Sequence, residues 1–398
     1  MKKIIFLLMC SFCLNAYALP SGSKAHRQQT DKWRQNFQNL ELLPQKYATF
    51  KKSLAEKTGL SYTLDASFLP QRVSPNGKKT AWQSQYYGMV NWNAFSSDTW
   101  GSGSFQMAYT AVRYGKTNAN DLANRLGIAN PINDYDEKAN YFDQLSYTHT
   151  FAGKLNILSL TVGQFPLYLF DGGDYDANQQ VNFLNEALSQ NATSNYPSAS
   201  LGMYATLTPN DQWSFSAGFQ DANNISGETI SWHKFKKGKM TEFVSATWTP
   251  VFNGLAGQYS VMLYYQPATQ SQNTLSRGWS LNLQQNITKD IALFGRINGA
   301  GQSAEFAKQS YVIGGVWNDP FKRNALDQGG LAMAFNKIDK TVQGANSRSW
   351  ENVLEGYYAF GVSNFLTLTP DFQLYINPAN NSNRHTGFVS SFRATLMF

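Results

Sequence analysis

Four histidines, His26, His149, His233 and His385, are all the imidazole this 398-residue chain has. A hydrolase needs a nucleophile, a base and a group orienting that base within hydrogen-bond reach of one another. His26 falls in a Gln- and Lys-rich N-terminal stretch, and His233 and His385 in loop-like sequence. His149 sits on an alternating segment with apolar parity. Neither Gly-x-Ser-x-Gly nor His-Glu-x-x-His occurs, so acyl transfer and zinc hydrolysis have no motif to rest on. No enzyme activity is expected. Asp171-Gly172-Gly173-Asp174-Tyr175-Asp176 offers calcium-like oxygens, but the twelfth position is Asn182, not Glu. It reads as a Gly-Asp turn rather than an EF-hand loop. No metal and no other cofactor is expected.

The arginines carry a different chemistry. A guanidinium is a planar fork that bonds paired hydroxyls or carboxylates. Arg296 shares parity with Phe294 and Asn298, opposite Ile291, Leu293 and Ile297; Arg393 lies opposite Phe392, Ala394 and Leu396. Glu355, Asp371 and Tyr375 lie on the polar faces of their own segments. These six, Arg296, Asn298, Arg393, Asp371, Glu355 and Tyr375, are the candidate solute-contacting residues. The alternative for either arginine is an ion pair that braces a wall. Arg113 shares parity with Phe105, Met107 and Tyr109 and reads as an interfacial residue whose head reaches back to water.

The element that must position them is a β-strand repeated many times. Side chains two apart share a face, and sixteen segments alternate apolar with polar: 61–68, 82–92, 104–114, 142–151, 157–165, 198–208, 212–220, 241–250, 258–266, 278–286, 290–299, 309–318, 328–337, 351–362, 366–377 and 387–398. About ten residues is the length a tilted strand needs to cross a bilayer. Connections such as Pro209-Asn210-Asp211, Ile287-Thr288-Lys289 and Ser363-Asn364 are short, while 115–141, 166–197 and 221–240 are long. Short turns at one end and long loops at the other are the outer-membrane pattern. The connection 319–327 should be short and is not. The fold class is therefore all-β: a sixteen-stranded antiparallel transmembrane β-barrel with a short N-terminal helical extension. Loop 166–197, with a short helix expected over Val181–Leu188, is the segment long enough to fold inward and narrow it.

Composition agrees. Lys2-Lys3, an apolar run from Ile4 to Leu14 and Ala16-Tyr17-Ala18 form a secretory signal over 1–18. Cleavage removes both cysteines, Cys10 and Cys13, and lowers the formal charge from +7 to +5. So diffuse a charge on an exported chain excludes nucleic acid as a partner. The basic run His233–Lys239 reads as a solvated loop, with lipopolysaccharide phosphates as the alternative. Residues 19–58 read as a periplasmic extension, helical, interrupted near Pro44 and packed against the barrel mouth. A coiled-coil handle joining a homotrimer is the other reading. Residues 59–398 form the barrel, in the outer membrane of a Gram-negative bacterium, with both termini periplasmic.

Several stretches resemble the carbohydrate-selective porins of the OprB type. They are Leu54–Leu60 running into Tyr62-Thr63-Leu64-Asp65, Leu158–Phe165, Tyr196–Gly202, Phe294-Gly295-Arg296 and, most specifically, Leu366–Pro378. Arg323-Asn324-Ala325-Leu326-Asp327 departs from the family's closer Arg-x-Asp spacing. The resemblance implies a sixteen-stranded outer-membrane channel for passive, weakly selective diffusion of mono- or oligosaccharides, surrounded by outer-membrane lipid and lipopolysaccharide. Few lumen charges are expected, in keeping with neutral solutes. A general diffusion porin and a plugged surface-binding or adhesion barrel are the alternatives. Counting residues across the turns places Asp371 opposite Arg393 and Glu355 opposite Asp371 or Gln373. The same counting puts Ser280 and Val312 beside Arg296, which leaves Arg296 free to meet solute while Arg393 is held by acids.

Overall fold

The computed structural model describes residues 42–75, 77–301 and 305–398. The signal sequence expected at 1–18, and the extension as far as residue 41, lie outside the described residues. Each alternating segment is a strand: β1 (Leu60–Ser74), β2 (Thr80–Ser97), β3 (Gly101–Tyr114), β4 (Ala139–Thr150), β5 (Leu158–Phe165), β6 (Ser200–Asn210), β7 (Trp213–Asp221) and β8 (Met240–Trp248). After a two-residue pairing in a turn, Val251–Phe252 against Leu255–Ala256, come β9 (Leu255–Gln266), β10 (Ser276–Asn286), β11 (Ile291–Ala300) and β12 (Ala307–Asn318). The wall ends with β13 (Gln328–Ile338), β14 (Trp350–Ser363), β15 (Leu366–Ile376) and β16 (Thr386–Met397).

Neighbours are antiparallel throughout, and β1 pairs with β16 as well as β2, Ala66 lying opposite Leu396. The sheet closes on itself and has no free edge. Period-two alternation then sets what faces out. Ile313, Leu331 and Val362 are 67, 60 and 56 % exposed, whereas the inward Val312 and Ala332 are 5 and 2 % exposed. Aromatic rings ring both ends of the outer wall, as at a membrane's two interfaces. Trp92–Phe105 (5.7 Å) and Trp213–Trp248 (5.7 Å) lie near the short turns, Phe68–Trp82 (5.6 Å) and Phe372–Phe388 (6.0 Å) near the long loops.

Connection 319–327 is the long one at the turn end. Arg323 spans it, Nε donating to Asp327 Oδ2 at 3.0 Å and NH1 to Gly361 O at 3.1 Å, while Gly361 N donates to Asp327 Oδ1 at 2.8 Å. The Arg-x-x-x-Asp spacing thus ties a longer turn to the neighbouring strand.

The extension differs from its expectation in two ways. Helix α1 (Leu42–Thr58) runs unbroken, because Pro44 falls in the first turn, where a backbone N–H has no intrahelical acceptor to lose. And α1 packs on the outside of the barrel, not against its mouth. Tyr47 OH lies 2.7 Å from Tyr62 OH, and Trp92 Nε1 donates to Thr58 O at 3.1 Å; Tyr62 and Trp92 both have outward parity. Gly59 (φ +73) makes the bend into β1, and a Cβ there would sit 2.2 Å from Asn93 O.

Candidate pore lining

Two loops fold into the barrel. The first, 115–138, carries α2 (Ala119–Leu126), a helix absent from the expectations. Asn118 and Asp121 form a reciprocal capping box and Gly127 (φ +70) ends the helix, both legible as Asn-x-x-Asp before an apolar run. Its apolar side, with Ile128 and Ile132, is 0–8 % exposed and packs in one cluster with Val73, Ala81 and Val389 of the wall. The second loop, 166–199, turns inward as its length suggested. Its helix, α3 (Glu186–Ser189), is shorter than Val181–Leu188, because the wall takes the backbone amides that a longer helix would bury.

That wall is where the six candidates lie. Glu355 accepts from Leu184 N (2.5 Å) and Asn185 N (2.9 Å). Tyr375 OH accepts from Asn185 Nδ2 at 2.6 Å and donates to Asn130 O at 3.2 Å, tying both loops. Glu351 does the same for the first loop, accepting from Asn130 N (2.8 Å), Ala129 N (3.0 Å) and, across the rim, Ala379 N (2.6 Å). Asp371 sits diagonally across from Glu355. Asn298 stands beside Arg296 with no hydrogen-bond partner among the described residues.

The arginines reverse the expected roles. Arg296 NH2 lies 2.5 Å from Asp176 Oδ2, NH1 donates to Gln190 O, and Nε donates to Asn282 Oδ1 at 3.0 Å. Of its counted strand neighbours Val312 is in place, but Asn282 stands where Ser280 was counted, two residues off, and Ser280 faces Asn298. Both neighbours are neutral, and the acid arrives from the inward loop, which register counting cannot see. Arg393 has no ion pair within 4 Å among the described residues. It donates to the carbonyls of Gln179, Val181 (2.8 Å) and Asn182 (2.8 Å), and Thr395 Oγ1 donates to Gln180 O at 2.7 Å. The nine-residue loop 377–385 centres one residue earlier than counted, so Asp371 faces Ser391 and Thr369 faces Arg393. Glu355 faces Gln373, one of the two alternatives. All six candidates are 0–1 % exposed. In this conformation Arg296, Arg393, Glu355 and Tyr375 hold loops, Asn298 and Asp371 are buried beside them, and none of the six touches open space.

The Gly-Asp segment serves the same clamp. Asp171 accepts from Asn191 Nδ2 (2.7 Å) and Asn282 Nδ2 (3.0 Å), and Asp174 exchanges hydrogen bonds with Gln284 (2.8 and 2.9 Å).

Inner surface that stays open lies on the opposite arc, at the turn-end halves of β3–β8. There the inward positions are Ser104, Gln106, Thr148, Ser159, Thr208, Ser245 and Thr247, each half-buried. Hydrogen-bonded hydroxyl pairs sit among them, Thr148–Thr161 and the buried Thr206–Ser216, both 2.8 Å apart. The stretch has no ionisable side chain. Sequence reading passed over it because Ser and Thr are the unmarked polar residues of an alternating strand.

The expectation of few lumen charges needs correction. Inward strand positions carry Asp65, Asp143, Glu351, Glu355 and Asp371 against Arg296 and Arg393, and loop 166–199 holds four acids with no Lys, Arg or His. In the loops, burial lifts the Asp134 carboxyl to about 7, although part of its surface stays open and Ser189 and Gln190 donate to it. Burial, then the nearby carboxylates, raise Glu186 well above the ordinary range.

Residues 97–398 match the profile of the family described as "Carbohydrate-selective porin, OprB family". The chain belongs to that family. Its curated relatives include "Porin AaxA" of Chlamydia pneumoniae, 38 % identical over 354 residues that cover 86 % of this chain and 80 % of the relative. Porin AaxA of Chlamydia trachomatis serovar D is 34 % identical over 368 residues (87 and 79 %). The high-pH structure of Pseudomonas putida OprB superposes with a TM-score of 0.70 at 15 % identity, covering 88 % of this chain and 97 % of that one. Salmonella typhi OmpF in complex with daunomycin gives 0.59 at 11 %, covering 85 and 97 %. These structures share the sixteen-stranded fold. The protein is thus an outer-membrane porin, and its relatives are channels rather than enzymes.

Proposed function

We propose that this porin passes neutral carbohydrates, mono- or oligosaccharides, by passive and weakly selective diffusion along the hydroxyl arc of β3–β8. The observation carrying this reading is that the half-buried inner side chains there are hydroxyls and amides without charge. Such groups replace a sugar's hydration bond for bond and hold it weakly enough to release. Tyr204, half-buried beside Phe165 and Phe170 (4.8 and 5.1 Å), borders the arc with an aromatic ring suited to the apolar side of a pyranose. In this reading the long loops face outward and both termini lie in the periplasm. Purified protein in a planar bilayer should conduct ions, and sugars should reduce the current. A sealed bilayer would favour a plugged surface-binding barrel. Liposome swelling that ranks sugars by size alone would make it a general porin.

A second reading concerns charge. The carboxylate excess of the inner wall and loop 166–199 favours cations over anions, since a focused field of one sign concentrates the opposite charge. It is compatible with sugar passage and tests separately.

A further inference from the structure

Six cations crowd the loop end of four consecutive strands. Arg72 on β1 and Arg113 on β3 have outward parity, facing Thr80 and Ser84 of β2. Lys78 and Lys79 immediately precede β2, Lys116 follows β3 and Lys138 precedes β4. All six are exposed, and none has an ion pair among the described residues. Three acids lie nearby, and none forms an ion pair with these cations among the described residues: Asp121 accepts from Asn118 N in the helix cap, Glu137 accepts from Asn120 Nδ2 at 3.4 Å, and Asp136 is half-buried. At the turn end of the same strands, the outward positions are Leu60, Tyr62, Leu64, Trp92, Phe105, Tyr147 and His149, with no permanent charge.

Two further features fix the depth of this patch. Phe68, Trp82 and Tyr86 are 45, 50 and 47 % exposed on the same outer wall, and Phe68 stacks on Trp82 at 5.6 Å. They form an aromatic step directly below the cations, at the level where acyl chains meet headgroups. Arg72 Nε is fixed to Gly77 O at 2.5 Å, and Arg113 NH1 to Ala139 O at 3.1 Å. The Arg72 head is thus held at the β1–β2 loop and the Arg113 head at the start of β4, both at the loop-end rim of the wall.

Unpaired like charges repel one another, and an anion beside such a patch relieves that repulsion and is attracted by its field. We propose that the loop end of β1–β4 binds a lipid of the surrounding leaflet that bears at least two phosphates on a glycan headgroup, its acyl chains lying on Phe68, Trp82 and Tyr86. Phosphates suit the site because arginine binds them as a fork and lysine as a point charge. This rests on the outward orientation of the loops only for which leaflet supplies the lipid.

The test uses the full-length porin, stripped of lipid in non-ionic detergent and titrated with a bisphosphorylated lipid A and with its dephosphorylated form. Lys78, Lys79, Lys116 and Lys138 are all exposed, so changing all four to Gln leaves folding intact, which heat-modifiability on gels checks. Wild type should bind the bisphosphorylated lipid at least about tenfold more tightly than the fourfold variant does. A control with Lys236→Gln and Lys237→Gln, in another basic loop, should stay within about twofold of wild type. Equal affinity of wild type and the fourfold variant would overturn the proposal. So would equal binding of the dephosphorylated lipid, or displacement of the lipid by millimolar inorganic phosphate. Binding in detergent is indifferent to how the barrel sits in a membrane. Orientation is read separately, by labelling Lys237→Cys on intact cells.

Discussion

Along β3–β8 the inner wall near the turns holds hydroxyls and amides that remain partly open. Along β11–β16 it holds Arg296, Glu351, Glu355, Asp371 and Arg393, all closed over. The two arcs belong to one barrel and one alternation, yet they end in opposite roles. A charge turned inward must find a partner or remain in water. Here it finds the backbone of a loop: carboxylates take amides at Leu184, Asn185, Ala129 and Asn130, and guanidiniums take carbonyls at Val181 and Asn182. A hydroxyl satisfies itself with a neighbour, as Thr148 does with Thr161, and draws no loop over itself. The most conspicuous polar residues of this wall are thus the least available to a solute.

The largest effect expected from breaking this difference is at the Arg296–Asp176 pair. Removing one partner of a buried pair costs about 3–5 kcal/mol, here charged to the inward loop. Arg296→Ala and Asp176→Ala should each raise single-channel conductance, whereas Thr148→Val should leave it near wild type. Conductance unchanged in both clamp variants would erase the distinction between the arcs. Next comes the outer face of the hydroxyl arc. Phe215 is 41 % exposed with outward parity, and Phe215→Lys should destabilise the barrel by about 2–4 kcal/mol if it lies near mid-membrane, read from urea unfolding in lipid vesicles. Leu201, equally outward in parity, is 7 % exposed near the loop end and is not a clean probe of lipid contact. Unimpaired Phe215→Lys stability would mean that the parity of this arc is inverted.

Smaller shifts follow from charge. With more carboxylates than guanidiniums inside, a potassium chloride gradient should give a cation-selective reversal potential; an anion-selective one contradicts the acidic lining. The smallest expected effect is that of pH. Asp134 and Glu186 have closed-state values raised above those of a solvated carboxylate, near 4. Loop packing is therefore strongest below about pH 4, where both states are protonated. It weakens as pH rises above about 4, where the released state ionises first, and the Asp134 part is lost as pH passes about 7. Conductance should be higher at pH 8 than at pH 5, and the reverse order would contradict this assignment.

Strands were legible because alternation is local: every one of the sixteen segments overlaps a wall strand, and Arg323–Asp327 marked the turn that would not shorten. Helix α2 was legible too, in Asn118, Asp121 and Gly127, but its signal was short amid long loop sequence. Partners of the inward charges were not. Asp176 and Arg296 are 120 residues apart, and no counting across turns joins them, since a loop's path through the lumen depends on the whole wall. Cross-strand register was nearly right, but a one-residue error in a loop's centre moved Arg393 from Asp371 to Thr369.

The central claim is that solute follows the hydroxyl arc while the arginines serve the loops. Sugar-induced reduction of ion current in a planar bilayer tests it most directly, comparing wild type with the combined variant Thr148→Val, Ser245→Ala and Thr247→Val. The near-isosteric changes keep the bore, so conductance without sugar should match wild type while sugar loses most of its effect. Undiminished sugar inhibition in that variant, with inhibition lost in Arg296→Lys at unchanged conductance, would contradict the account and return the solute to the arginines.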